Sequence, residues 1–92
     1  MNRQTLIKEL KKKYPNKTFR TTEEFDGGKG GIWTSGEDGA EEKGLPLLNY
    51  YAQDNSETTY IFGVKKTLHN WLEKKGWYCE WYDAGTMMIW EI

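Results

Sequence analysis

The chain has one histidine, His69, and one cysteine, Cys79, and a nucleophilic relay needs such a pair side by side. Alternation through Trp77-Tyr78-Cys79-Glu80-Trp81 sets Cys79 on the same side as two tryptophans. A thiol there is expected to be core packing rather than a nucleophile. Ser35 and Ser56 lack the glycine-flanked context of a nucleophile elbow. One cysteine and one histidine cannot build a Cys/His zinc site, and one cysteine forms no internal disulfide. Gly27-Gly28-Lys29-Gly30-Gly31 has the composition of a phosphate loop but not its GK[ST] ending. Ile32-Trp33 continues it as strand, so the helix N-terminus of an anion site is missing and a hairpin loop is expected. The acids Glu23, Glu24 and Asp26, and Glu37, Asp38, Glu41 and Glu42, do not have the spacing of a calcium loop. Proximity in sequence does not assign glycosidase carboxylates either, so these are expected to be solvated loop acids. No catalytic constellation, cofactor site or metal site emerges, and the expectation is a protein that is not an enzyme.

Charge offers a different chemistry. Residues 1–20 carry seven cations against Glu9, whereas residues 21–63 carry nine acids against Lys29 and Lys43. The two halves can attract each other across the folded surface, or steer a partner. Lys8, Lys11, Lys12, Lys13 and Lys17 form a candidate basic patch that, with aromatic strands to stack bases, would suit a nucleic acid. A pI near 5.8 and the absence of an RNP-like or helix-turn-helix signature count against it. With the sign reversed, the acidic segment would mimic nucleic-acid phosphates and occupy a basic cleft on another protein.

The elements that must position these residues follow from periodicity. Leu6, Ile7, Leu10 and Tyr14 make one apolar stripe, so a helix is expected over about 3–14, ended by Pro15. Asn2 or Thr5 is placed to cap it. Strands are expected at about 17–25, 31–35 and 58–62, with an acidic, glycine-rich loop over 36–44. Leu45-Pro46-Leu47-Leu48-Asn49-Tyr50-Tyr51 suits an edge strand or a covering loop, because proline cannot sit in a central strand. Val64, Leu68, Trp71 and Leu72 return to helical spacing over about 64–75, and Gly76 is placed as a left-handed C-cap.

The last element is a hairpin of strands at about 77–83 and 86–92. With Ala84-Gly85 as a two-residue loop, Tyr82 pairs with Met87 and Trp81 with Met88. One face then gathers Trp77, Cys79, Trp81, Met88, Trp90 and Ile92 as core. The other holds Tyr78, Glu80, Tyr82, Met87 and Ile89, a candidate protein interface because tyrosine and methionine are favoured where interfaces exclude water. Aromatic side chains from the other strands would cover this face if it is instead internal. A three-residue loop with Gly85 left-handed would shift the register by one.

In Gly31-Ile32-Trp33-Thr34-Ser35-Gly36 and Trp77-Tyr78-Cys79-Glu80-Trp81-Tyr82-Asp83-Ala84-Gly85-Thr86 the chain resembles small uncharacterised proteins carried by bacteria and their phages or prophages. The resemblance lies in general character, since those proteins too are short, aromatic-rich and heavy in lysine and glutamate. It implies a cytoplasmic protein, and binders of host proteins are common among such proteins. It carries no functional residues over.

Ninety-two residues allow one domain, and fourteen aromatics supply the large side chains so short a chain needs for a core. The longest apolar run, Met87-Met88-Ile89-Trp90, is far short of the roughly 20 residues a bilayer span requires. The charged N-terminus lacks a hydrophobic signal core, which also points to the cytoplasm. The expected architecture is α+β: a single antiparallel sheet of 4–5 strands with two helices packed on one face. The expected order is helix, strands, helix, C-terminal hairpin. The expected function is a non-catalytic protein-interaction module binding a protein partner or a second copy. A nucleic-acid-binding protein is the alternative, and a phosphate-mimic inhibitor the remote one.

Overall fold

Asn2 opens the first helix, α1 (Arg3–Lys13), by accepting the Thr5 N–H on its side chain at 2.9 Å. This satisfies one of the four donors that every helix start leaves free. Lys11, Lys12 and Lys13 fill the last turn against the negative end of the dipole. Leu6 and Leu10 point inward and are fully buried.

The computed structural model describes residues 1–25, 28–36, 41–42, 44–52 and 59–92. After α1 come β1 (Arg20–Thr21), β2 (Ile32–Ser35), β3 (Glu41–Glu42), β4 (Leu45–Pro46), β5 (Tyr60–Ile61) and β6 (Val64–Lys65). Then follow α2 (Lys66–Lys74), β7 (Trp77–Asp83) and β8 (Thr86–Glu91). The fold is α+β. Four strands form one antiparallel sheet in the order β1-β2-β8-β7, and β3-β4 and β5-β6 form two small hairpins beside it. Leu6 and Leu10 of α1 join Leu68 and Leu72 of α2 in one apolar cluster with Ile32, Trp77, Met87 and Ile89, so both helices cover the same face of the sheet. No helix among the described residues is long and apolar enough to cross a membrane.

Two expected strands come out differently. The strand expected over 17–25 is reduced to Arg20–Thr21, because Thr22 diverts the chain. Its hydroxyl donates to the Gly28 carbonyl at 2.8 Å and accepts the Gly31 N–H at 3.1 Å. A side chain that bonds the backbone in this way competes with the strand ladder, and Thr22–Glu24 closes into a 3-10 turn. The strand expected over 58–62 is Tyr60–Ile61 in the described residues. It pairs with Val64–Lys65 and not with the main sheet. The intervening turn is Phe62-Gly63, with φ of 50° and 79°. Two positive φ values at the centre of a two-residue loop match the twist of a tight hairpin.

Leu47 and Leu48 behave as a covering segment. Both are buried, and the Leu47 carbonyl accepts from Lys65 N at 2.9 Å while Asn49 N donates to Gly63 at 2.7 Å. Gly76, at φ 86°, ends α2 by donating to the Glu73 carbonyl. Of the acidic loop expected over 36–44, positions 37–40 and 43 lie outside the described residues, and Glu41–Glu42 pair with Leu45–Pro46.

Candidate protein-interaction surface

The hairpin loop pairs Asp83 with Thr86, and the Asp83 carboxylate accepts the Gly85 N–H at 2.9 Å. Directly beyond it the register slips. Trp81 pairs with Met87, leaving Tyr82 as an extra residue in a β-bulge. The slip carries Met87 and Ile89 to the helix-covered face beside Trp77, Cys79 and Trp81, and Met88 and Trp90 to the opposite one beside Tyr78 and Glu80.

Met87 and Ile89 therefore leave the candidate interface. Both are core residues, 0% and 1% exposed, because the bulge exchanges the faces of every β8 residue relative to β7. Tyr78, Glu80 and Tyr82 remain at the surface. Trp90, expected in the main core, lies instead on the second face.

That second face is partly roofed by the β1–β2 connection. Phe25 packs at 5.2 Å from Trp33 and edge-on at 5.1 Å from Tyr82, ring centre to ring centre. A Cβ on Gly31 would lie 2.5 Å from the Trp90 ring, so only glycine allows the backbone to approach so closely. Arg3 anchors the connection by donating to the Glu23 carboxylate at 2.7 Å and the Gly31 carbonyl at 3.1 Å. Glu23 also accepts the Gly30 N–H at 3.1 Å. The Arg3 bond, with Glu23's own backbone N–H and that of Gly30, holds the Glu23 carboxyl well below its usual range, at about 2. Beneath this roof Met88 is buried, and the indole N–H groups of Trp33 and Trp90 are buried with no partner among the described residues.

Beside β7, Ile61, Phe62, Val64, His69, Cys79, Glu80 and Trp81 line a cavity of about 430 Å3. His69 and Cys79 thus line one cavity, which their separation in sequence did not suggest. His69 Nε2 lies 3.5 Å from the Glu73 carboxylate one turn along α2. Burial pushes the Cys79 thiol up to about 12, against a smaller opposing pull from Lys17. A thiol that stays protonated near neutral pH lacks the thiolate that attack requires. Among the described residues no three His, Cys, Asp or Glu side chains converge on a point that would hold a metal ion.

The basic patch is divided. Lys8, Lys11 and Lys12 stand exposed at i, i+3 and i+4 on α1, one continuous stripe. Lys13 turns away to lie 5.7 Å from the Trp71 ring, which Lys75 approaches at 5.4 Å. Lys17 drops out altogether. It is 5% exposed and its ammonium donates to the Ser35 carbonyl, a partner that charge patterning does not reveal. Arg20 shares a cleft with Lys11 but pairs loosely with Glu24 at 3.8 Å.

No protein-family model, curated protein or solved structure matches the chain.

Proposed function

We propose that the chain is a non-catalytic protein-interaction module whose contact surface is β7 and the aromatic face beside it. One observation carries the reading: Tyr78 and Tyr82 stand 38% and 55% exposed on the sheet's outer strand. Tyrosines in that position supply large, stiff contact area at small entropic cost. On this reading the module works in the cytoplasm, where Cys79 stays reduced, and a phage or prophage is its carrier.

The test is a Tyr78→Ala/Tyr82→Ala variant, whose substitutions lie at the surface and leave the core intact. Light scattering reads self-association, and quantitative affinity capture compares variant with parent. The expected result is a protein partner, or a second copy, whose retention falls by about tenfold or more, as at an aromatic hot spot. A monomeric parent that retains the same proteins as the variant overturns the reading.

The exposed Lys8, Lys11 and Lys12 stripe favours a second reading, a nucleic-acid-binding surface on α1. It requires binding to DNA or RNA that weakens steeply with salt and with Lys11→Glu/Lys12→Glu; no binding at about 50 mM salt removes it.

A further inference from the structure

We infer that β7 receives an extended peptide strand from its partner, a segment that alternates apolar and basic side chains. The inference rests on the interaction-module reading and names the partner's chemistry.

The first observation is the edge itself. β7 pairs with β8 on one side only, and among the described residues none of its backbone groups bonds to anything outside that pairing. Alternate residues of such a strand present their N–H and C=O groups outward, a template for another strand. Folded proteins blunt such edges with very short strands, charged side chains (lysine above all), proline, bulges or a covering loop. The opposite edge, β1, is blunted in this way, being two residues long. β7 runs seven residues, carries no lysine or proline, and bulges only at its turn end.

The second observation is the cavity of about 430 Å3 beside that edge. Ile61, Phe62, Val64 and Trp81 give it apolar walls. An added strand would direct every other side chain into it, the arrangement by which strand addition gains specificity. Phe62 is the informative wall. It is 72% exposed and holds φ at 50°, a conformation disfavoured for a bulky residue. Core packing does not require an exposed phenyl ring, and strain of this kind is characteristic of ligand clamps.

The third observation is charge. On the other face Glu80 lies between Tyr78 and Tyr82 at the middle of the strand, beside a shallow depression that Trp90 and Lys29 also line. The alternate side chains of an added strand meet this face, where a lysine or arginine would pair with Glu80 and lie against the tyrosine rings. The same residue argues against a second copy as occupant. Glu80 is the midpoint of β7, so symmetric pairing about the strand's centre sets Glu80 opposite Glu80, a destabilising cross-strand pair.

The test uses the full chain and a synthetic Val-Lys-Val-Lys-Val-Lys-Val peptide, read by backbone amide NMR. Binding that perturbs the β7 amides is expected. Methylating the peptide's amide nitrogens along one edge should weaken it by about tenfold or more and along the other edge hardly at all, because only one edge bonds β7. Glu80→Lys should reverse the preference toward Val-Glu-Val-Glu-Val-Glu-Val, which shows that the variant is folded and competent. Equal effects of methylation on the two edges, or perturbation confined to α1, overturn the inference. A partner that depends on Tyr78 and Tyr82 while the peptide fails to bind also overturns strand addition, and leaves the interaction-module reading standing. Loss of the Tyr78 and Tyr82 dependence itself overturns the reading beneath.

Discussion

The indole N–H of Trp81 donates to the Phe62 carbonyl at 2.7 Å, so the sheet's outer strand is tied to the only non-glycine residue with positive φ among the described residues. Asparagine suits the first position of such a turn far better than phenylalanine does. Phe62→Asn is therefore expected to stabilise the fold by about 0.5–1 kcal/mol, seen as a higher urea midpoint at unchanged slope. A lower midpoint would mean that the phenyl ring contributes more by contact than the backbone loses by strain.

Trp77 and Trp90 make a matched comparison. The Trp77 indole donates to the Met1 carbonyl at 2.8 Å, and that of Trp90 finds no partner among the described residues. Trp77→Phe loses a buried bond as well as volume and is expected to cost about 2–3 kcal/mol. Trp90→Phe removes an unsatisfied donor, which offsets part of the lost packing, and is expected to cost about 1 kcal/mol or less. Equal losses in chemical denaturation would show that Trp90 has found a partner.

Glu23 sets an acid response. Its folded-state carboxyl sits at about 2 against 4.5 for the free group, so the stability it contributes is fully present above the higher value. That contribution fades as the pH falls from about 4.5 toward 2. Glu23→Gln should flatten the stability curve within that window and leave its shape above pH 5, roughly, unaltered. An unchanged curve throughout would mean that Arg3 does not hold the carboxylate in solution.

Cys79, with its thiol raised to about 12, should resist alkylation by iodoacetamide in the native protein at pH 8 and react freely in urea. Mass spectrometry over time measures this directly. Native labelling as fast as unfolded labelling would show that the cavity wall opens readily.

Much of this architecture was legible from periodicity and turn chemistry. Leu6 and Leu10, Leu68 and Leu72, Gly76 and the Asp83–Thr86 turn all follow local rules, and they identify the helices and the last hairpin. The face of each β8 residue was not legible, because it depends on a single extra residue at Tyr82. Trp81 lies beside that bulge and is anchored to the Phe62 carbonyl and, at 5.2 Å, to the Tyr50 ring, contacts across 19 and 31 positions of chain that no local pattern encodes. The Phe62-Gly63 turn was hidden because phenylalanine is not a turn residue. Lys17 was misplaced because formal charge does not show that a carbonyl waits for it in the interior. For the candidate site, Tyr78, Glu80 and Tyr82 followed from simple alternation, whereas the cavity beside them is assembled from three separate stretches of chain.

The position of β8 also bears on biosynthesis. It lies between β2 and β7, yet it is made after both. A growing chain can wind α1 and α2 from local contacts, but it has no strand to join β2 to β7 until Thr86–Glu91 leaves the ribosome. Until then Ile32 and Trp77 have no sheet to enter, and the aromatic stretch 77–82 is open to chaperones and to other nascent chains. Closure of this sheet thus waits for β8, and a chain cut short before Thr86 would leave β2 and β7 without the strand that joins them.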